Sequence, residues 1–168
     1  FKLSIIIPCY NEIDTIQELI FRVKSSPIQS KEIIIIDNCS TDGTREFLEN
    51  LKDESLIIIF NNRNIGKGGS LAKGFSIASG DITLIQDADL EYNPREYEKL
   101  IAPIIDGNAD VVYGSRFVGE APHRVLYFWH RVGNGFLTLL SNILTDINLT
   151  DMETCYKVFK TEIIKSIR

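Results

Sequence analysis

The stretch Asp81-Ile-Thr-Leu-Ile-Gln-Asp87-Ala-Asp89 ends a short apolar run with two aspartates one residue apart. In a strand, residues i and i+2 lie on the same face, so Asp87 and Asp89 can point both carboxylates at one spot where the chain leaves the sheet. A hard cation such as Mg²⁺ is bound through one or two carboxylates and the phosphate oxygens of a substrate. Because open α/β sheets bind ligands at the carboxyl ends of their strands, the placement favours a site for Mg²⁺ or Mn²⁺ and a phosphorylated substrate. The alternative is a chance pair, since the chain has eleven aspartates.

Apolar runs of strand length alternate with helical patterns along most of the chain. The predicted strands are Leu3–Ile7, Glu32–Asp37, Leu56–Phe60, Ile82–Asp87 and Ala109–Tyr113, and the predicted helices are Glu12–Ser25, Asp42–Leu51, Ser70–Ala78, Pro94–Ile105 and Val125–Leu144. Strands that are apolar on both faces and separated by helices are typical of a parallel sheet covered by helices. We therefore predict one α/β domain over residues 1–168, with a Rossmann-like, mostly parallel sheet and helices on both faces.

Composition and charge limit the classes of function. Of the 168 residues, 44% are hydrophobic and 24% are charged, as in ordinary soluble globular proteins. The net charge of −5 argues against broad nucleic-acid binding, so a phosphate must be held by a local basic cluster or through a metal. Cys9, Cys39 and Cys155 are far apart, which favours reduced thiols in the cytoplasm. The chain stops inside a helical pattern, which predicts a truncated C-terminus.

Polar clusters follow four of the five predicted strands. They are Pro8–Glu12, Asp37–Thr44, Asp87–Asp89 and Gly114–Arg116. Since the carboxyl ends of parallel strands meet at one edge of a sheet, these clusters predict one shared site.

Several of these residues also have purely structural interpretations. Asp37 could accept hydrogen bonds from a base or ribose, whereas Ser40 or Asp42 could cap the next helix. Glu12 could be a first-turn acid that the helix dipole favours. The residue pattern alone leaves these alternatives open.

A glycine-rich segment, Asn64-Ile-Gly66-Lys67-Gly68-Gly69-Ser70, precedes a predicted helix. Such a segment can hold a phosphate against backbone N–H groups, although tight packing is another reason for its glycines. It matches neither the P-loop pattern nor the dinucleotide-binding pattern. A Rossmann dehydrogenase is therefore disfavoured.

Arginine and histidine residues accompany the last predicted helix. Arg116 could hold a diphosphate through a bidentate guanidinium or form a surface salt bridge. His123, Arg124, His130 and Arg131 cluster at the entry to the 125–144 helix, which is too interrupted to span a bilayer. Cations beside an apolar, aromatic helix fit contact with anionic lipid head groups, and an amphipathic core helix is the alternative.

Seven motifs occur in a fixed order along almost the whole chain. They are Ile-Ile-Ile-Pro8-Cys-Tyr-Asn-Glu12, Ile-Asp37-Asn-Cys-Ser-Thr-Asp42-Gly-Thr, Asn64-Ile-Gly66-Lys67-Gly68, Gly80-Asp81, Asp87-Ala-Asp89-Leu, Gly114-Ser-Arg116 and Thr150-Asp151-Met-Glu-Thr-Cys-Tyr-Lys157. In this combination the chain resembles family 2 glycosyltransferases with the GT-A fold. Within them it is most similar to the dolichyl-phosphate mannose synthases and the bacterial polyprenyl-phosphate glycosyltransferases.

The resemblance implies an inverting, metal-dependent transferase that moves a sugar from a GDP- or UDP-linked donor to a polyprenyl phosphate. It implies that Mg²⁺ or Mn²⁺ bridges the diphosphate to the aspartates, and that the enzyme sits at the inner face of a membrane, with peripheral contact through the 125–144 helix. The implied nucleotide-sugar-binding residues are Pro8, Tyr10, Glu12, Asp37, Asp42, Gly66, Lys67, Asp87 and Ala88. The implied metal ligands are Asp87, Asp89 and Glu91, and the implied catalytic residues are Asp89, Arg116, Arg131 and Asp151.

Three positions depart from the pattern of the resembled family. Asn38 stands where many members have a second aspartate, which affects contact with the base. Glu91 replaces a common glutamine and could add a third carboxylate to the metal site. Asp151-Met-Glu-Thr-Cys-Tyr-Lys157 replaces the Asp-x-x-Ser-Gly-Phe of the mannose synthases. The resemblance therefore fixes the reaction type more closely than the donor sugar or the acceptor.

The acceptor decides whether a general base is needed. A lipid phosphate is anionic near neutral pH and needs none, whereas a hydroxyl group would need one, for which Asp151 or Glu153 are candidates. Asp151 could instead be a turn residue. A transferase that builds a polysaccharide or another cell-surface glycan is one alternative function, and a nucleotide-sugar-binding module without catalysis is another.

Overall fold

The computed structural model describes residues 1–115 and 128–167, and only the backbone of Phe128. The chain divides into two units, Phe1–Val112 with Val158–Arg168, and Tyr113–Lys157. Arg116, His123 and Arg124 lie outside the described residues, so the sequence-based predictions about them stay predictions. The single domain over 1–168 also stays a prediction.

A six-stranded sheet forms the centre of the first unit. Its strands are β1 (Leu3–Cys9), β2 (Lys31–Asp37), β3 (Leu56–Phe60), β4 (Ile82–Ile85), β5 (Val111–Tyr113) and β6 (Lys157–Lys160), in the order β3-β2-β1-β4-β6-β5. β1 pairs in parallel with β2 and β4, and β2 pairs in parallel with β3, whereas β4 and β6 are antiparallel. The predicted α/β class with a mostly parallel sheet is confirmed.

The helices are close to those predicted, with shifts at several ends. They are α1 (Ile16–Lys24), α2 (Thr44–Asn50), α3 (Gly66–Ile77), α4 (Tyr97–Ile105), α5 (Phe128–Thr145) and α6 (Thr161–Ser166), with a 3-10 turn at Pro94–Glu96. α1 starts four residues later than predicted, because Glu12 first closes a turn in which its carbonyl accepts hydrogen bonds from the backbone N–H groups of Thr15 and Ile16.

Helix α3 packs closely on one face of the sheet. Ile6, Ile34 and Ile36 pack with Ala78 in one apolar cluster. A Cβ atom on Gly74 would lie 2.5 Å from Cγ2 of Ile6, so only glycine allows this approach. Side chains alternate between the faces of a strand, and Ile5, Ile7 and Ile35 are also fully buried. Both faces of the sheet are therefore covered.

Strand β6 was not predicted, and β4 is shorter than expected. The helical pattern at the end of the chain corresponds to α6. β6 has four residues and lies between β4 and β5, where Phe159 faces Thr83 and the Lys160 N–H donates to the Asp110 carbonyl. So short a run is stabilised by its neighbours rather than by its own pattern. β4 ends at Ile85, but the Gln86 N–H still donates to the Ile6 carbonyl.

A buried carboxylate joins β1, β2 and the loop before β4. The Glu32 carboxylate accepts hydrogen bonds from Lys2 Nζ, Ser4 Oγ, the backbone N–H and Oγ of Ser79, and the Gly80 N–H. Burial would raise the pKa of Glu32, but the hydrogen bonds from Lys2, Ser4 and Ser79 outweigh it and lower that pKa to about 2. The ionised form is therefore a structural part of the native state.

We expect the substitution Glu32→Gln to lower the free energy of unfolding near neutral pH by about 2 to 3 kcal/mol, because charge-assisted hydrogen bonds to a buried group are lost. The folded-state pKa lies below the ordinary 4.5. The contribution of the ionised carboxylate is thus fully present above about pH 4.5 and is lost as the pH falls toward 2. Urea denaturation measures the free energy of unfolding of both proteins. The difference between the two free energies should become smaller as the pH is lowered from about 6 to about 3.

The matched control is Glu98→Gln, which changes an exposed carboxylate in the first turn of α4 and should cost less than about 0.5 kcal/mol. If the difference in free energy of unfolding between the wild-type protein and Glu32→Gln is constant across this pH range, the charge of Glu32 does not stabilise the folded state.

Candidate functional site

A cavity of about 290 Å³ lies in the first unit at the carboxyl ends of β1, β2 and β4. Its lining residues are Pro8, Cys9, Tyr10, Glu12, Asn38, Asn64, Gly66, Lys67, Ser70, Asp87, Ala88 and Asp89. The first-turn residues Gly66 and Lys67 of α3 thus meet the aspartate pair that follows β4. Of the predicted donor-binding residues, seven line the cavity, and only Asp37 and Asp42 do not.

Asp87 and Lys67 form an ion pair on the wall of the cavity. The Lys67 Nζ lies 2.6 Å from Oδ1 and 2.8 Å from Oδ2 of Asp87, so one ammonium group contacts both carboxylate oxygens. Asp87 is 8% exposed, whereas 51% of the Lys67 side chain is exposed. The pair therefore joins a buried carboxylate to a cation that reaches solvent.

Asp89 is an exposed carboxylate at the same cavity, and its Oδ1 accepts a hydrogen bond of 3.0 Å from the Glu91 N–H. Partial desolvation, together with the charges of Glu91 and Asp87, raises the pKa of Asp89 against the opposing effects of the Glu91 N–H and Lys67. Burial, with the charges of Glu12, Asp37 and Asp42, also raises the pKa of the Cys9 thiol. Negative charge therefore dominates the cavity, and a cation would relieve it.

The donor set fits a divalent cation that shares its ligands with a substrate. Across residues 1–115 and 128–167, no group of three His, Cys, Asp or Glu side chains is placed to hold a metal ion alone. Two carboxylates completed by phosphate oxygens are the usual protein contribution to Mg²⁺ sites. Asp87 and Asp89 line the cavity as such a pair. Ligand roles for these two residues and for Glu91 stay predictions.

Three asparagines fix the loop that leads into α3. The Asn38 Oδ1 accepts hydrogen bonds from Asn61 Nδ2 (3.1 Å) and the Ile65 N–H (2.9 Å), and its Nδ2 donates to Asn64 Oδ1 at 2.8 Å. Asn64 Oδ1 also accepts a hydrogen bond from the Gly66 N–H. This role of Asn38 was not predicted from the sequence. The only signal was its place after Asp37, where the resembled family has a second aspartate.

Asp37 is buried and is not among the residues that line the cavity. The residue is fully buried; its Oδ1 accepts a hydrogen bond from the Ser40 N–H, and its Oδ2 lies 3.2 Å from Arg45 Nε. The same arginine donates to the Asn61 carbonyl at 2.9 Å and lies over the ring of Phe60. These contacts hold the loops that follow β2 and β3. Contact between Asp37 and a nucleoside stays a prediction.

Asp42 holds the loops that follow β1 and β2 together. One carboxylate oxygen accepts hydrogen bonds from the Thr44 N–H and Oγ1, and the other accepts from the Ile13 N–H. Slight desolvation would raise the pKa of the exposed Asp42, but these hydrogen bonds outweigh it and lower that pKa. Gly43, rather than Ser40 or Asp42, is the N-cap of α2. A donor-binding role for Asp42 stays a prediction.

The aromatic ring at the mouth of the cavity is that of Tyr10, which is 46% exposed. The next residue, Asn11, has a φ of 56° and ties this loop to the one after β2, since its N–H donates to Ser40 Oγ and its Oδ1 accepts from the Thr41 N–H. Asn tolerates the left-handed conformation better than most residues. The turn presents the Tyr10 ring to solvent.

The second unit contains Asp151 and Arg131. Asp151 is buried and accepts a 2.8 Å hydrogen bond from Asn134 Nδ2. Thr138 Oγ1 accepts from the Met152 N–H, and the Asn142 amide both donates to and accepts from the Leu149 backbone. These three α5 residues, spaced by four, lie on one helix face and fix residues 149–152. Arg131 is exposed near the start of α5. Catalytic roles for Asp151 and Arg131 stay predictions.

Helix α5 exposes its apolar residues. Those exposed are Trp129, Val132, Phe136, Leu137, Leu139, Leu140, Ile143 and Leu144, whereas Asn134 and Thr138 are buried. Within the described ranges, every helix is too short or too polar to cross a membrane.

Two curated relatives act on polyprenyl phosphates by name. The undecaprenyl-phosphate 4-deoxy-4-formamido-L-arabinose transferase of Proteus mirabilis is 36% identical over 112 residues, which are 63% of this chain and 34% of that protein. The dolichol-phosphate mannosyltransferase of Pyrococcus furiosus is 36% identical over 120 residues, 70% of this chain and 34% of that protein. The chain thus spans about a third of the length of the curated relatives it matches.

Solved structures share the fold. TarS 1-349 of S. aureus matches with a TM-score of 0.68 and 25% identity, over 99% of this chain and 49% of that one. The mannosyltransferase PcManGT of Pyrobaculum calidifontis, in complex with GDP-Man and Mn²⁺, matches with a TM-score of 0.71 and 20% identity, over 99% and 46%. These likenesses confirm the predicted GT-A fold. The family model for Glycosyl transferase family 2 matches residues 4–168, and the chain therefore belongs to that family.

Proposed function

We propose that this chain forms the donor-binding part of an inverting, metal-dependent glycosyltransferase that moves a sugar from a nucleoside-diphosphate sugar to a polyprenyl phosphate. The observation that carries the proposal is the cavity in which Asp87, Asp89 and Lys67 meet at the carboxyl ends of parallel strands. The names of the two polyprenyl-phosphate transferases support the acceptor. The GDP-Man and Mn²⁺ in PcManGT support the donor type and the metal.

The diphosphate would lie between the aspartate pair and the start of α3. Gly66 and Lys67 are in the first turn of that helix, where the helix dipole favours an anion. Asp87 and Asp89 would hold Mg²⁺ or Mn²⁺, which would supply positive charge to the departing diphosphate. The Lys67 ammonium can add a direct contact to phosphate oxygens.

The nucleoside would lie toward the loop after β1. The exposed Tyr10 ring offers an apolar face of the kind on which a base can stack. Pro8 and Glu12 line the same side, and Ala88 lies between the two aspartates. For Asp37 and Asp42, the contacts described above support a role in holding these loops in place.

The acceptor chemistry needs little from the protein if the acceptor is a lipid phosphate. An anionic phosphate oxygen would form a bond to the anomeric carbon while the bond to the donor diphosphate breaks on the opposite face, which inverts that carbon. No proton has to be removed from the attacking oxygen, so a general base is unnecessary. With a hydroxyl acceptor, the buried Asp151 would be the first candidate for that base.

Replacing Asp87 and Asp89 together by asparagine should reduce sugar transfer at least about 100-fold, because the charge that supports departure of the diphosphate is lost. Transfer should be measured with GDP- and UDP-sugars, Mn²⁺ and a short-chain polyprenyl phosphate. Donor binding should be followed in parallel as a rise of the melting temperature.

The matched control is Asp106→Asn, which removes one exposed carboxylate at the end of α4 and should leave transfer unchanged. Undiminished transfer by the Asp87→Asn/Asp89→Asn protein would contradict the proposal. Donor binding without transfer to any acceptor would favour the nucleotide-sugar-binding module instead.

The second part of the proposal concerns α5. This helix buries the amide of Asn134 and the hydroxyl of Thr138 while Trp129 and Phe136 are exposed, the reverse of a helix on a soluble domain. Arg131 and His130 near its start are exposed too. An apolar face with cations at one end suits the boundary between head groups and acyl chains of an anionic membrane. We propose that α5 holds the enzyme beside its lipid acceptor on the cytoplasmic side.

The substitution Phe136→Ser should weaken partitioning onto vesicles of anionic phospholipid about tenfold or more, because burial of a phenylalanine side chain contributes about 1.5 to 3 kcal/mol. Phe21→Ser on α1 is the matched control, since Phe21 is 66% exposed and Phe136 is 65% exposed. Co-sedimentation with vesicles would measure both. An equal effect of the two substitutions would exclude α5 as the lipid-binding face.

A further inference from the structure

We propose that Lys67 is a displaceable cation, which holds Asp87 while no donor is bound and couples donor binding to metal binding. This inference rests on the proposed function, because it assigns a task to a residue of the same cavity. It concerns which cation contacts Asp87 before and after the donor binds. It makes Lys67 a positioning residue for the metal ligand Asp87, in addition to its contact with phosphate.

The ion pair places the positive charge of Lys67 against both oxygens of Asp87. One ammonium group contacts both carboxylate oxygens, at 2.6 and 2.8 Å. A divalent cation that binds the same oxygens would meet the Lys67 charge at close range, and like charges repel. Both Asp87 oxygens thus contact Lys67, and the use of Asp87 as a metal ligand requires Lys67 to move.

The surroundings of Lys67 allow that movement. Gly66 and Gly68 stand on either side of it, and a Cβ atom at either glycine would find no other atom within 4 Å. Half of the Lys67 side chain is exposed, and its long stem has several rotamers of similar energy. The backbone, by contrast, is fixed: Gly66 N–H donates to Asn64 Oδ1 in the hydrogen-bonded loop before α3. The side chain can therefore change partner while the helix start stays in place.

A diphosphate offers the ammonium group a stronger partner. Its oxygens carry more negative charge than one carboxylate, and the first turn of α3 favours an anion beside Lys67. Transfer of Lys67 from Asp87 to the diphosphate releases both Asp87 oxygens and removes the like charge at the same time. Donor and metal should then each strengthen the binding of the other by the same factor.

The test uses the substitution Lys67→Met, which keeps the length of the side chain and removes its charge. Mn²⁺ binding is titrated by electron paramagnetic resonance, first alone and then with saturating GDP or UDP. In the absence of nucleotide, we expect Lys67→Met to bind Mn²⁺ about tenfold more tightly than the wild-type protein. The factor by which nucleotide strengthens Mn²⁺ binding should be about tenfold smaller in Lys67→Met.

The matched control is Lys73→Met. Lys73 is an exposed lysine on the same helix, but its ammonium group donates to Asn61 Oδ1 and not to a carboxylate. Its loss should leave the affinity for free Mn²⁺ close to that of the wild-type protein. If Lys73→Met and Lys67→Met gain the same affinity for free Mn²⁺, the gain comes from the change in net charge alone. That result would overturn the inference. Lys67→Gln repeats the measurement if Lys67→Met unfolds, as judged by circular dichroism.

Unchanged or weaker Mn²⁺ binding by Lys67→Met without nucleotide would also overturn the inference. Failure of the proposed function looks different. In that case neither the wild-type protein nor Lys67→Met would bind GDP or UDP at millimolar concentration, whatever their affinities for Mn²⁺.

Discussion

The parallel pairing of β1 with both β2 and β4 is the constraint on which the site depends. It places the carboxyl ends of three strands side by side, so the loops that leave them must share one space. The ladder continues past the strand ends, since the Asn38 N–H donates to the Cys9 carbonyl and the Gln86 N–H donates to the Ile6 carbonyl. Each loop therefore starts from a fixed direction, and the polar residues that follow β1, β2 and β4 converge at one cavity.

Burial of polar groups near this edge requires that they be paired. Asp87 lies against the Lys67 ammonium, and Asn61 Nδ2 donates hydrogen bonds to Asn38 Oδ1 and Ser70 Oγ. A buried amide or carboxylate left without a partner would cost more than its hydrogen bond contributes when made. The hydrogen-bond network that surrounds the cavity is thus required for folding as much as for binding. It fixes the start of α3, so that Gly66 and Lys67 line the cavity.

Much of the fold and part of the candidate site could be predicted from the sequence. The apolar runs around Ile5, Ile34 and Leu84 are long enough to identify buried parallel strands, and the polar residues at their ends identify the edge that carries the cavity. The start of α3 at Gly66 could not be predicted, because glycine disfavours helices. That start depends on tertiary contacts, namely hydrogen bonds from the Ile65 N–H to Asn38 and from the Gly66 N–H to Asn64. β6 was missed because four residues carry too little pattern.

Asn38 shows why a departure from a family pattern is best explained through its neighbours. The Ile65 N–H fixes the Asn38 oxygen, and the Gly66 N–H fixes the Asn64 oxygen, so the Asn38 NH₂ group must face Asn64 Oδ1. An aspartate at position 38 would place two oxygens against each other and lose the donor. Asn38 and Asn64 are therefore a matched pair. As long as Asn64 turns its oxygen to the start of α3, an amide is required after Asp37.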